Sequence, residues 1–348
     1  MRVIVAAGTP GFIGGGATEL AFSVENALRD AGHEVELLFL PTYEDTTVLL
    51  PQLAGLRIHD FTDDADHLIA LRWPAHFLRH KRKSVWFLHE YRSLFDLAGY
   101  LGEMGALQPG DAERAAILAR WEAVVLGEAR NVFTNSRVVS ERLATSLDGF
   151  PSGVLEPPYP RDLPDPRPYP ADGRRVVQLG RVAPIKRQDL AIEALAASGG
   201  RWHLTIAGVP EPIEYGRALR EMVAELGLEA QVDLRLSWIG EEEKLDLLEH
   251  SSIVLNLAFA EDSYSYVTYE GWAAARPVVT TVDTEGIADA VRHVDGGEVA
   301  TASPADLGGV VEALLDDPSR ARAAGERGRD WVLSGATTWA QAIEKLLA

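Results

Sequence analysis

Not one cysteine occurs in the 348 residues, which removes disulfides, thiolate zinc sites and cysteine nucleophiles together. A reducing cytoplasm is the expected compartment. Basic residues are also scarce: 33 Lys and Arg against 52 Asp and Glu leave a formal net charge of -19. That balance excludes a sequence-independent grip on nucleic acid, which depends on Lys and Arg neutralising phosphates. Any phosphate that binds must meet a local basic site. Long apolar runs are missing too, and nothing approaches the ~20 apolar residues of a membrane span. The opening "MRVIVAAGTPG" has too short an apolar run for a signal peptide and reads as a strand. What remains is globular in composition, 47% hydrophobic and 24% charged. The length exceeds what one core usually supports, so two domains are expected.

Short apolar runs alternate with amphipathic stretches along the first half: "RVIVAAG", "ATELAFSVENALRDAGH", "EVELLFLP", "LIALRW", "SVWFLHE", "DAERAAILARWEAVVLGEA", "NVFTNS". Strand followed by helix, repeated, predicts a parallel sheet with helices on both faces. The proline-dense "GVLEPPYPRDLPDPRPYPADGRR" reads as a linker, with the boundary near residue 170. Beyond it the pattern restarts at "RRVVQLG" and runs through "WHLTIAG", "VDLRLSW", "IVLNLAF" and "PVVTT". The expected fold class is α/β, two Rossmann-like doubly wound parallel-sheet domains in tandem. Residues 1–170 form the first, with the linker, and 171–330 the second. In such sheets ligands sit beyond the carboxyl ends of the strands, and two such edges facing each other make a cleft.

Three segments follow expected strand ends. "GTPGFIGGGATEL" lets backbone approach a ligand and leads into a helix N-terminus, yet it matches neither the dinucleotide glycine spacing nor a nucleotide-triphosphate loop. "LGRVAPIKRQDL" puts Arg181 at a strand end and Lys186 five residues on, at a helix start. Cations there oppose the macrodipole unless an anion joins them, and the pair suits a diphosphate. "FAEDSYSYVTYEG", residues 259–271, holds three carboxylates and three tyrosines where packing would ask for aliphatics. The early amides of the helix it enters suit phosphate oxygens, Glu270 suits a ribose diol, and Asp262 precedes the helix where sugar hydroxyls would lie.

Taken together these residues resemble the retaining glycosyltransferases of family 4, which have the GT-B fold. That family carries Glu, seven residues, Glu on a strand–loop–helix, commonly "E-D-F-G-Y-V-T-L-E", and here "D-S-Y-S-Y-V-T-Y-E" stands in register from Asp262 to Glu270. The likeness extends to the Arg181/Lys186 pair, the "GGG" loop with its later "GHEV", "FLHEYR" and "TNSRVVSERL". The first acid departs from the pattern, being Asp rather than Glu. The resemblance implies a hexosyltransferase that binds a nucleoside diphosphate sugar and moves the sugar, with retention, to a small-molecule, glycan or lipid-linked acceptor. It implies no cofactor and no metal. Arg181 and Lys186 would hold the diphosphate and stabilise the leaving charge; Glu270 would hold the ribose, and Trp238 would lie near the base. The amides of Ser265, Tyr266 and Val267 would meet phosphate or sugar, and Gly15 and Gly16 would close over the phosphates. His89 and Asp262 would stand near the reacting sugar, and a shift of register by one residue would give the part of Asp262 to Glu261. Residues 331–348 would cross back to the first domain, as in relatives.

Two other segments carry charge patterns of their own, and three other classes share parts of this pattern. Asp64 and Asp66 in "DDAD" have a manganese-binding spacing, but they precede a strand and so lie at the wrong edge. "RHKRKSVW" reads as a solvated turn, with peripheral membrane contact the alternative. A nucleotide-sugar epimerase would share the fold. A non-catalytic sugar-binding protein is another option, given Asp for Glu. A nicotinamide oxidoreductase would use Gly14, Gly15 and Gly16 for pyrophosphate and Glu36 for ribose, with the wrong glycine spacing.

Overall fold

The computed structural model describes residues 1–9, 16–42, 45–159, 168–170, 173–261 and 265–348. It divides into two compact units, Met1–Pro160 with Thr337–Ala348, and Arg161–Ala336.

In the first unit six parallel strands, β1 (Arg2–Thr9), β2 (Glu34–Pro41), β3 (His67–Ala70), β4 (Lys83–Phe87), β5 (Asn131–Thr134) and β6 (Gly153–Val154), lie in the order 2-1-3-4-5-6. Their sequences are continuous apolar runs because a parallel sheet is covered on both faces. Strand β1 shows this at period two. Val3, Val5 and Ala7 pack against Leu20, Val24 and Leu28 of helix Gly16–Asp30. Ile4 and Ala6 face the opposite core, with Leu126, Val139 and Leu143. The last helix, Trp339–Leu347, starts in a capping box between Thr338 and Gln341. It buries Ala342, Ile343 and Leu346 in the Val3–Val5 core, and Trp339 Nε1 donates to Tyr159 O at 3.1 Å.

The basic run differs from the solvated turn expected for it. Lys83 is wholly buried, and its Nζ donates to the carbonyls of His76, Leu78 and Val125 at 2.8, 3.2 and 3.3 Å. His80 is buried as well, between Ala65 O and Arg82 O. Carbonyls left over by a short 3-10 turn and a helix end solvate the ammonium in place of water.

In the second unit β7 (Arg175–Leu179), β8 (His203–Ala207), β9 (Val232–Arg235), β10 (Ile253–Leu255), β11 (Val278–Thr281) and β12 (Gly297–Ala300) form a second parallel sheet, ordered 12-11-10-7-8-9. Its core joins Val176, Leu204, Ile206, Leu255 and Val279 to Ala191, Leu195 and Leu307 of the covering helices. The chain runs outward from β7 to β9, then returns to the other side of β7 as β10. The carboxyl ends of β7 and β10 therefore flank the topological switch point, where such sheets take ligands. The unit begins ahead of residue 170 because Tyr169 stacks its ring under the Arg276 guanidinium, and Arg276 donates to Pro168 O at 3.0 Å. It extends to Ala336 because Trp331 lies against Tyr269 and Trp272. Among the described residues no helix is long and apolar enough to cross a membrane.

Candidate active site

Beyond β7 the chain turns at Gly180, φ +106°, where a Cβ would touch Val267 Cγ2 at 3.6 Å. This contact sets the strand end beside the first turn of helix Tyr266–Ala273. Arg181 follows, exposed, with Nη1 donating to Glu211 Oε2 at 2.9 Å. A 3-10 turn, Pro184–Lys186, then leads into helix Gln188–Ala197. Lys186 donates to the Glu261 carboxylate, both side chains being partly buried. The two cations expected on one diphosphate thus each rest on a separate carboxylate.

The segment after β10 is pinned to that turn. Phe259 N donates to Ile185 O at 2.8 Å, Ala260 N to Asp283 O at 3.0 Å, and Gly286 N to Glu261 O at 3.1 Å. Arg187, at φ +52°, is the bracket behind them. It donates to Leu257 O, bidentately to Asp283 at 2.7 and 2.9 Å, and to Thr281 Oγ1, and its guanidinium lies over the Phe259 ring. Sequence reasoning passed over this residue, and a positive φ at an Arg leaves no compositional signal.

Helix Tyr266–Ala273 starts where the sequence predicts, with Ser265 at its N-cap. Hydrogen bonding within it begins as Thr268 N donates to Ser265 O at 3.1 Å, so the amides of Ser265, Tyr266 and Val267 stand ahead of that bond. Thr268 is anchored by Asn256 Nδ2 at 3.0 Å. Glu270 is nearly buried, and its Oε1 accepts from Lys244 Nζ at 2.6 Å. Lys244 also meets Glu241 at 2.9 Å. It too was missed; its one sequence signal is a lone cation within the acidic "EEEKLDLLEH". Trp238, three residues past β9, is 82% exposed. Asp262 and Gly15 lie outside the described residues, as does Gly14.

His89 and Gly16 belong to the first unit. Gly16 is the first residue of helix Gly16–Asp30. His89 stands two residues past β4, its Nδ1 donating to Glu90 O at 2.6 Å. Behind it Glu90 is buried, and desolvation pushes its carboxyl up to about 7, with Glu122 and Asp96 adding to the rise and Ser146 and Arg142 opposing it. Glu122 and His76 form a buried pair at 3.1 Å. Burial raises Glu122 to about 8 and lowers His76 to about 3, so the pair is neutral and the carboxyl O–H donates to Nε2. Asp64 and Asp66 sit before β3, at the amino edge of the sheet, where Asp66 accepts the Arg2 amide at 2.8 Å.

Residues 162–331 match the family described as glycosyl transferases group 1. D-inositol 3-phosphate glycosyltransferase of Mycolicibacterium smegmatis is 26% identical over 262 residues, covering 70% of this chain and 57% of that protein. Its counterpart from Thermobispora bispora is 26% identical over 221 residues, 61% of this chain and 51% of that protein. The chain therefore spans about half the length of these curated relatives. Among solved structures, Anabaena HepE in complex with UDP and glucose superposes with a TM-score of 0.73 at 16% identity, covering 99% of this chain and 98% of that one. Sucrose-phosphate synthase of Thermosynechococcus elongatus does so at 0.71 and 16%, covering 99% and 96%. These likenesses establish the GT-B fold of two Rossmann-like domains. Residues 162–331, which make up most of its second unit, are thus similar to the glycosyl transferases group 1.

Proposed function

We propose that this protein is a retaining hexosyltransferase that moves a sugar from a nucleoside diphosphate to an acceptor hydroxyl. One observation carries the reading: Arg181 and Lys186 follow the carboxyl end of β7, and helix Tyr266–Ala273 follows that of β10, the two strand ends that flank the switch point of the second sheet. Two cations and a positive dipole end there suit a diphosphate. The names of the relatives and the UDP and glucose held by HepE support the same ligand class.

In the proposed reaction the bond between the anomeric carbon and the diphosphate oxygen breaks, and the acceptor oxygen bonds to that carbon on the same face. The acceptor proton passes to the leaving phosphate, whose growing charge Arg181 and Lys186 stabilise. Glu270 is assigned to the ribose, Trp238 to the base, Asp262 to a sugar hydroxyl, and the amides of residues 265–267 to phosphate or sugar. His89, Gly15 and Gly16 keep the donor contacts that the family resemblance implies. The acceptor is a small molecule, a glycan or a lipid-linked sugar, and the compartment is the cytoplasm. No cofactor is required.

The nicotinamide alternative loses support from strand register. Glu36 pairs with Ile4 near the start of β2, whereas the ligand edge lies at the Thr9–Pro41 end, five residues on. The test is transfer from UDP-, GDP-, ADP- and dTDP-sugars to an acceptor panel, with anomeric configuration read by NMR. Inversion would overturn retention, and epimerised free nucleotide sugar would favour the epimerase reading. Activity is expected to survive dialysis against EDTA. A loss restored by Mn²⁺ would defeat metal independence.

A further inference from the structure

We infer that Glu261 is the resident counter-ion of Lys186, a carboxylate that the donor diphosphate must displace on binding and that reclaims the lysine when the diphosphate leaves. The inference rests on the diphosphate site proposed above and adds a regulator to it. Glu261 is not a loop acid that happens to reach a lysine. Its carbonyl accepts from Gly286 N at 3.1 Å, and the preceding residues are tied to Asp283 O and Ile185 O. The Lys186 side is equally fixed, since Gln178 Nε2 donates to Lys186 O at 2.8 Å. Ala260 and Glu285, at φ +48° and +49°, hold conformations that non-glycine residues adopt only when their surroundings impose them. The carboxylate is therefore delivered to the ammonium by backbone on both sides, with Lys186 28% and Glu261 18% exposed.

A partly buried lysine with no anion would bear a desolvation cost in the ligand-free protein, and a fixed carboxylate removes it. The same carboxylate repels an incoming phosphate. Net affinity for the diphosphate is lowered, and product release is eased. Glu261 thereby has a different task from its neighbour Asp262, which is assigned to the sugar. The two acids are separable because a nucleoside diphosphate carries no sugar.

The test is calorimetric titration of the full chain with UDP, GDP, ADP and dTDP. Wild type should bind at least one, and Lys186→Ala should weaken it. Failure of either expectation overturns the diphosphate site itself. Given both, Glu261→Gln should tighten the same nucleotide by about three- to tenfold, the scale of one partly exposed ion pair. In the Lys186→Ala background Glu261→Gln should tighten it by clearly less, because only the carboxylate's direct repulsion of the phosphate is then relieved. Unchanged or weaker binding in Glu261→Gln alone would sink the counter-ion role while leaving the site standing. Equal tightening with and without Lys186 would reduce the effect to general charge and overturn the pairing. A lower donor KM with stronger product inhibition is the expected kinetic counterpart.

Discussion

Lys186 and Arg181 differ by surroundings more than by chemistry. Lys186 is 28% exposed and held from both sides, whereas Arg181 is 50% exposed and shares its charge with a half-exposed Glu211. Both are expected to weaken nucleoside diphosphate binding on replacement by Ala, but unequally. Lys186→Ala should cost about 1.5–3 kcal/mol, the value of a charge-assisted contact out of bulk water, and Arg181→Ala about 1 kcal/mol because solvent screens it. Calorimetry with both proteins still folded checks the ranking, and equal affinity to wild type in both would move the phosphate elsewhere. For Asp262→Asn we expect a kcat about tenfold lower, one differential polar contact, with diphosphate affinity nearly unchanged. A drop in affinity without a drop in kcat would remove Asp262 from the sugar. The strand-end positions of Arg181, Lys186 and Glu270 were legible because strand, loop and helix periodicity locate them. The partners Glu211, Glu261 and Lys244 were not, since 30, 75 and 26 residues separate each from its mate.

Helix Tyr266–Ala273 is placed on the sheet by a glycine. A Cβ at Gly271 would come within 3.2 Å of the Cγ2 atoms of Val254 and Val278, so β10 and β11 and the helix approach as closely as backbone allows. Gly271→Ala should lift the helix by a few tenths of an ångström. Overpacking outweighs the gain in helix propensity, giving a net loss of about 1 kcal/mol and weaker nucleotide binding, because the amides of residues 265–267 and Glu270 move with the helix. Gly309 is the contrast: it lies in helix Pro304–Asp316 with nothing within 4 Å of its Cβ position. Gly309→Ala should stabilise by about 0.5–1 kcal/mol and leave binding alone. Urea unfolding with nucleotide titration measures both; a stabilised Gly271→Ala would show that the contact has room to spare. The sequence pattern "GWAAARP" marks a small-residue helix, and small residues read equally as weak helix formers or as a close-packed face. Only the facing valines distinguish the two.

At the scale of the molecule the buried ionisable groups make the first unit sensitive to pH. Glu122, raised to about 8 from 4.5, is protonated in the fold and ionised in the unfolded chain between those values. The folded state then binds more protons, so stability falls as pH rises through that window. His76, lowered to about 3 from 6.5, acts in the opposite sense below 6.5 and offsets Glu122 there. Between pH 6.5 and 8 Glu122 acts without that offset, and Glu90 adds to it up to about 7. Lys83, lowered by burial to about 8, acts in the opposite sense toward the top of the window, so we expect the first unit's stability to decline mainly between pH 6.5 and about 7.5, with a slope below about 1.4 kcal/mol per pH unit. Glu122→Gln, which keeps a donor to His76, should flatten most of it. Denaturant unfolding at half-unit intervals is the measurement, and stability that is flat or rising in wild type would contradict the neutral pair.

Composition and periodicity alone determined the two doubly wound sheets, because parallel strands covered on both faces must be apolar throughout and helices must repeat near 3.6 residues. They also determined which residues follow strand ends, and so the second unit's candidate edge. Strand order, and with it the switch point between β7 and β10, came only with the tertiary structure. The same is true of the burial of Lys83 within a run that reads as solvated, and of the pairing of each site cation with its own carboxylate. The physical reason is range. Periodicity is a local property that every residue carries, whereas an ion pair or a buried ammonium depends on which distant carbonyls and carboxylates the packing of the sheets brings within 3 Å.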